Sequence, residues 1–240
     1  MRELDKVRTA LAPTGTLRTA INLGNAVLAQ RGTDGAPSGV TVDLSREIAH
    51  RLGVPVQLTG FDAAAKVVDA LGSSAYDIGF LAVDPKRADT IDFTAPYVLI
   101  EGAYIVHNEA PYQTPADIDQ PGVRIGVGKG AAYDLFLSRE LKSAELVRYP
   151  TSADVFDGFL RDRLEAGANI RQPAAAFAAR HGGLRVLAEP FMQIRQAVAI
   201  PRGKAPAPAW VDALLVELKA SGFIAAALQR SGQGDALVAP

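Results

Sequence analysis

After residue 15, short apolar runs alternate with stretches of helical period, the pattern of an α/β fold built mainly on parallel strands. Residues 17–21 predict a strand. Leu44, Ile48 and Leu52 recur at i, i+4 and i+8 with Gly53 behind them, so 41–52 predicts an amphipathic helix with a glycine stop. A strand at 54–58, a helix at 62–71 and a third strand at 77–81 complete a βαβαβ unit. Asp84-Pro85 then places an N-cap before a proline at the first helical position, where its missing N–H costs nothing. A short helical turn holding Arg87 should start there.

Val98 to Val106 is long and strand-like, interrupted only by Glu101-Gly102, and predicts a crossing from one lobe into another. A second α/β series comes next: strand 123–127, helix 131–141 with Tyr133, Phe136, Leu137 and Leu141 on one face, strand 145–148, helix 151–160, strand 166–169 and helix 172–180. Gln193 to Ile200 stays extended up to the turn Pro201-Arg202-Gly203 and predicts the return crossing. Val211, Leu214, Leu215 and Leu218 fall at helical spacing, with Gly222 as terminator. No internal repeat of fixed period is visible.

A chain of 240 residues supports one large core or two modest ones. Its 25 Lys and Arg balance 26 Asp and Glu without a run of either sign, which argues against a nucleic-acid partner, because a phosphate-binding face needs clustered cations. The absence of cysteine removes disulfides, thiolate metal sites and a cysteine nucleophile. His50, His107 and His181 stand far apart without a His-x-x-x-His partner, so each reads as a surface residue and no metal or cofactor is expected. No apolar run reaches the ~18 residues of a membrane span. The first eight residues are charged and amphipathic without the apolar core or cleavage site of a signal peptide, which leaves open a cytoplasmic location or a leader not included in this chain.

Ligands of open α/β sheets bind beyond the carboxyl ends of the strands. That rule selects Asn22 to Asn25, Ala82 to Arg87, Gly128 to Tyr133 and Asn169 to Gln172, two sets from each expected lobe, which a cleft would bring together. Arg87 offers a fork for a carboxylate, its guanidinium expected in that open cleft; a surface pair with Asp84 or Asp89 is the competing account. Gly128-Lys129-Gly130-Ala131-Ala132 puts small residues at a helix start, where backbone N–H groups receive an anion or a plain turn forms. Asn22 and Asn25 suit either a polar cleft or a turn. Glu101 and Glu165 are the carboxylates for acid–base work, and ion-paired or solvated roles compete for both.

Gly15-Thr16-Leu17-Arg18, Gly39 to Leu44, Tyr76-Asp77-Ile78, Lys86-Arg87, Asp92-Phe93-Thr94-Ala95-Pro96-Tyr97 and Pro121 to Val127 together resemble the family 3 extracellular solute-binding proteins, the polar amino-acid receptors of ABC importers. The resemblance covers roughly residues 15–230. It implies a two-lobed, type II periplasmic-binding-protein fold of the Venus-flytrap kind with two hinge-crossing strands, lobe 1 being 1–98 plus 198–240 and lobe 2 being 99–197. It further implies a monomer in the periplasm. In that family the Arg just before the Asp-Phe-Thr-x-Pro-Tyr motif grips the ligand α-carboxylate, which matches Arg87, and backbone groups matching Ala82, Ala131 and Ala132 assist.

Several positions depart from the family pattern. The customary Ser/Thr-x-Thr is replaced within Phe80-Leu81-Ala82-Val83-Asp84, the first loop carries Asn22 and Asn25 in place of an acidic residue and an aromatic, and the stacking aromatic aligns near Ala64. The Asp that binds the α-ammonium falls at Asn169 or Ile170. A buried ammonium without a carboxylate costs several kcal/mol, so the expected ligand is a small carboxylate with a polar, uncharged remainder, touched by Arg87, Asn22, Asn25, Phe80, Ala82, Lys129, Ala131, Ala132, Asn169 and Gln172. A non-enzymatic receptor, with an ABC permease as partner, is the leading expectation. A cyclohexadienyl dehydratase-like enzyme and a transporter-independent sensor are the alternatives; the first needs an acid that 166–172 does not contain.

Overall fold

A computed structural model describes residues 3–240, leaving Met1 and Arg2, which open the segment read against a signal peptide, outside the description. The chain forms two compact units, one running up to Leu99 and resuming at Arg195, the other Ile100–Ile194.

Unit 1 begins with α1 (Glu3–Leu11), β1 (Leu17–Asn22), a small hairpin of β2 (Gln30–Arg31) and β3 (Pro37–Ser38), α2 (Val40–Leu52), β4 (Val56–Phe61), α3 (Ala64–Gly72) and β5 (Ile78–Ala82). A 3-10 turn comes next at Arg87–Asp89, then β6 (Ile91–Phe93) and β7 (Val98–His107). β1 lies between β4 and β5, parallel to both. α2 forms as its period requires, burying Leu44, Ile48 and Leu52, and stops at Gly53, whose φ of 68° suits a residue without Cβ. β4 is displaced from the expected 54–58, because Pro55 supplies the carbonyl that meets Leu17 N–H and pairing runs on to Phe61 opposite Asn22. Ala20, Val67, Leu71, Leu81, Ile91 and Ala199 close the core between α3 and the sheet.

Unit 2 holds β8 (Arg124–Gly128), α4 (Ala132–Glu140), β9 (Glu145–Tyr149), α5 (Asp154–Arg161), β10 (Ala166–Ile170), α6 (Arg171–His181) and β11 (Leu184–Val186). β8 pairs in parallel with β9 and β10, the middle-strand role that β1 plays in unit 1, and β10 and β11 run antiparallel to β7. Glu101-Gly102 does not interrupt β7: a Cβ at Gly102 would stand 2.8 Å from Met192 Cγ and 2.9 Å from Phe191 Cζ, so glycine there keeps the strand straight beneath those side chains. On α4, Tyr133 and Leu137 are buried as expected, together with Asp134, whereas Phe136 and Leu141 are only half-buried.

β12 (Met192–Pro201) carries the chain back, its Gln196 opposite Ala82 of β5. α7 (Ala207–Ala220) and α8 (Phe223–Arg230) then pack near α1 and α2, and β13 (Leu237–Val238) pairs with the first residues of β7. α8 was not anticipated; Gly222, read as a terminator, is left-handed at φ 76° and turns one helix directly into the next. His50, His107 and His181 are all exposed.

Candidate functional site

In unit 1 the chain leaves β5 at Ala82 and enters a tight turn that Asp84 organises. Its Oδ1 accepts the Lys86 N–H at 2.9 Å and its carbonyl accepts the Ala88 N–H at 3.0 Å. Arg87 sits in the 3-10 turn so produced, and its Nη1 donates to the Ala82 carbonyl at 3.0 Å. The side chain is not displayed in the open, as the sequence suggested, but is 4% exposed. Burial pushes the guanidinium down to about 10, against the attraction of the Asp84 carboxylate, so it stays cationic at neutral pH. Asp84 is 3% exposed and Val83 between them and the strand is open to solvent.

Ala82 is thus a partner of Arg87 through its carbonyl. Phe80 is wholly buried, its ring edge-on to Tyr97 with centroids 5.9 Å apart, so it packs the wall behind the loop. Tyr97, the last residue of the Asp-Phe-Thr-x-Pro-Tyr motif, is itself buried with a hydroxyl that has no partner, and burial raises that phenol well above its ordinary value. At the end of β1, Asn22 Oδ1 accepts the Gly24 N–H at 3.0 Å and Asn25 Oδ1 the Val27 N–H at 3.2 Å. Both side chains are turn-formers, and Asn25 is buried.

In unit 2 the loop before α4 serves the chain's own groups first. Lys129 N–H donates to the Tyr149 carbonyl at 2.8 Å, Ala131 N–H to Gly128 at 3.0 Å, and Gly130 N–H to Asp134 Oδ2 at 2.8 Å. Asp134, the third helical residue, reaches back as an internal anion and is in turn held by Arg148 Nε at 3.0 Å. By helix geometry the N–H groups of Ala132, Tyr133 and Asp134 have no acceptor within α4. Lys129 carries its side chain into solvent.

Where β10 meets α6, Asn169 Nδ2 donates to the Ser152 carbonyl at 2.8 Å and its Oδ1 accepts the Ile170 N–H at 2.8 Å. Its side chain is turned to the interior and 1% exposed. Gln172, just inside α6, has a buried Oε1 without a partner. Arg171 is bound to Glu101 and to the carbonyls of Leu187 and Ala188 at 3.1 and 2.9 Å. Glu165 is likewise held by Arg124, below the usual carboxylate range. Ser152, which meets both Asn169 and the Tyr133 hydroxyl (2.7 Å), carried no signal in the sequence; Asp84 did, as a cap.

The profile of the bacterial extracellular solute-binding proteins, family 3, matches residues 17–233. The chain belongs to that family. Among curated proteins, this family 3 chain is 24% identical over 203 residues to the L-cystine-binding protein TcyJ of Escherichia coli K12, covering 82% of this chain and 74% of TcyJ. It is 26% identical over 148 residues to the cyclohexadienyl dehydratase of Pseudomonas aeruginosa, covering 60% and 54%. Among solved structures, the lysine-complexed ABC-transporter binding component of Wolinella succinogenes superposes with a TM-score of 0.78 at 22% identity, over 90% of this chain and 95% of that one. The fold is therefore the type II periplasmic-binding-protein fold. Among the described residues no helix is long and apolar enough to cross a membrane.

Proposed function

We propose that this family 3 protein is a receptor that captures a small carboxylate-bearing solute outside the cytoplasmic membrane and presents it to an ABC importer. Arg87 carries the reading: a buried cation fixed at the carboxyl end of β5, in the stretch just ahead of the Asp-Phe-Thr-x-Pro-Tyr motif. A guanidinium there gives a carboxylate a two-pronged, desolvated partner.

The names of TcyJ and of the W. succinogenes protein indicate amino acids as their ligands. The solute proposed here differs at the amino group. The β10–α6 junction, Ala168 to Pro173, contains neither Asp nor Glu, and Asn169 spends its amide on Ser152 and Ile170. An ammonium brought there would lose its hydration without gaining a counter-charge. The solute is a carboxylate with a polar, uncharged remainder.

The relationship to a dehydratase supports a second reading, an enzyme on the same fold. It asks for a proton donor, whereas Glu101 is paired with Arg171 and Glu165 with Arg124. That pairing favours the receptor. Native mass spectrometry of the purified protein, then a thermal-shift panel of carboxylates with and without an α-amino group, tests the proposal. Stabilisation by the amino-free acids, with little effect of common L-amino acids, is expected; tight binding of a standard amino acid overturns the ligand class, and turnover of a cyclohexadienyl substrate overturns the receptor.

A further inference from the structure

We propose that Asp84 is a built-in competitor for Arg87, a carboxylate of the chain itself that sets how strongly the anchor holds an incoming anion and which anions it accepts. The inference rests on the reading of Arg87 as the carboxylate anchor and adds what limits it.

The geometry gives Asp84 no easy way out. Its Oδ1 is bound to the Lys86 N–H and its carbonyl to the Ala88 N–H, while Arg87 between those residues is bound back to Ala82. One closed turn therefore fixes an acid and a base three residues apart. In water such a pair is worth little, but these two residues are 3% and 4% exposed, so salt and solvent screen them poorly. The attraction between them is felt at Arg87.

The consequence is a site where the positive charge of the anchor is offset by Asp84 before any solute arrives. A monoanion entering it meets the guanidinium and, close by, the repulsion of Asp84. A dianion meets that repulsion with two charges. The turn thus disfavours dicarboxylates relative to monocarboxylates, at the cost of affinity for all anions. Lys86 and Asp89, the neighbouring charges on the turn, lie nearer solvent and do not alter the buried balance.

Asparagine caps a turn about as well as aspartate, so Asp84→Asn removes the charge and keeps the acceptor for Lys86; Asp84→Ser does the same with a shorter side chain. The probes are acetate and malonate, titrated by NMR against the parent, both Asp84 variants, Arg87→Gln and the double variant Asp84→Asn/Arg87→Gln. The expected result is acetate binding tightened by about tenfold in the Asp84 variants, a larger gain for malonate, and loss of both gains in the double variant. If the Asp84 variants bind acetate no better than the parent while Arg87→Gln binds it worse, the anchor stands and the competitor falls. A gain that persists in the double variant shows that the anchor is not Arg87. Failure of every variant to bind acetate overturns both.

Discussion

Asp77 takes three hydrogen bonds from one residue, Arg18: the backbone N–H at 3.0 Å, Nε at 2.9 Å and Nη2 at 2.7 Å. Arg18 lies in β1 and Asp77 just ahead of β5, so the contact fixes where these parallel strands start relative to each other. Unit 2 repeats the device. Arg124, the first residue of β8, gives its N–H, Nε and Nη2 to Glu165, just ahead of β10, at 2.8, 3.0 and 3.0 Å.

The two clamps differ in exposure, and exposure decides their weight. The Asp77 side chain is 1% exposed and that of Glu165 is 30%. Asp77→Ala is expected to cost about 3 kcal/mol and Glu165→Ala about 1 kcal/mol in urea unfolding. Equal losses would show that the strand ends are held by something else.

Arg87→Ala is expected to destabilise the protein as well as to remove anion binding, because a buried carboxylate is left without the guanidinium beside it. The loss should be about 3 kcal/mol, and Asp84→Asn in the same chain should recover about half of it. Urea curves for the two single variants and the double variant measure the coupling. Strict additivity would mean that the two side chains do not interact.

Asn169→Asp places a carboxylate against the Ser152 carbonyl and removes the donor that now satisfies it. A loss of about 2 kcal/mol is expected, without a gain of amino-acid binding. Chemical denaturation and a thermal-shift panel with glycine, lysine and cystine test both halves.

A Cβ on Gly158 would stand 2.2 Å from Cε1 and Cζ of Tyr149, whose hydroxyl is tied to Asp162 at 2.7 Å. Helix propensity alone would make Gly158→Ala stabilising by about 1 kcal/mol, and overpacking by a ring that is held in place exceeds that. The net expectation is a loss of about 2 kcal/mol. A variant as stable as the parent would show that the ring swings aside.

Asp119 accepts backbone N–H groups from Lys142, Ser143 and Ala144, which hold its carboxyl below the usual range. A carboxylate depressed in the folded state contributes stability above its ordinary pKa and loses it as pH falls through the depressed value. Melting temperature should therefore drop below about pH 4 more steeply in the parent than in Asp119→Asn. Parallel melting curves across the acid range would reveal this, and identical slopes would remove Asp119 from the acid response.

The periodic elements were legible because they depend on local spacing. Leu44, Ile48, Leu52 and Gly53 announce α2 and its end by themselves. Strand limits were less so: the strand expected at 54–58 continues, because pairing with β1 carries β4 through Thr59 and Gly60 to Phe61. At the site, spacing indicated that Arg87 comes after a strand end in a capped turn, but its burial comes from the packing of distant segments. Asn169 was legible as a polar residue at a strand end; the direction of its amide is set by Ser152, seventeen residues earlier.

Unit 2 is a single stretch, Ile100–Ile194, whereas unit 1 is assembled from the two segments that flank it. During synthesis every residue of unit 2 is available before the ribosome has made most of β12, or any of α7 and α8. Until then β5 lacks β12 along one edge, and α1 and α2 lack the helices that come to lie near them. The middle of the chain is thus the first part with all its residues available to fold, and the unit bearing Arg87 is complete only with the last 46 residues, Arg195–Pro240.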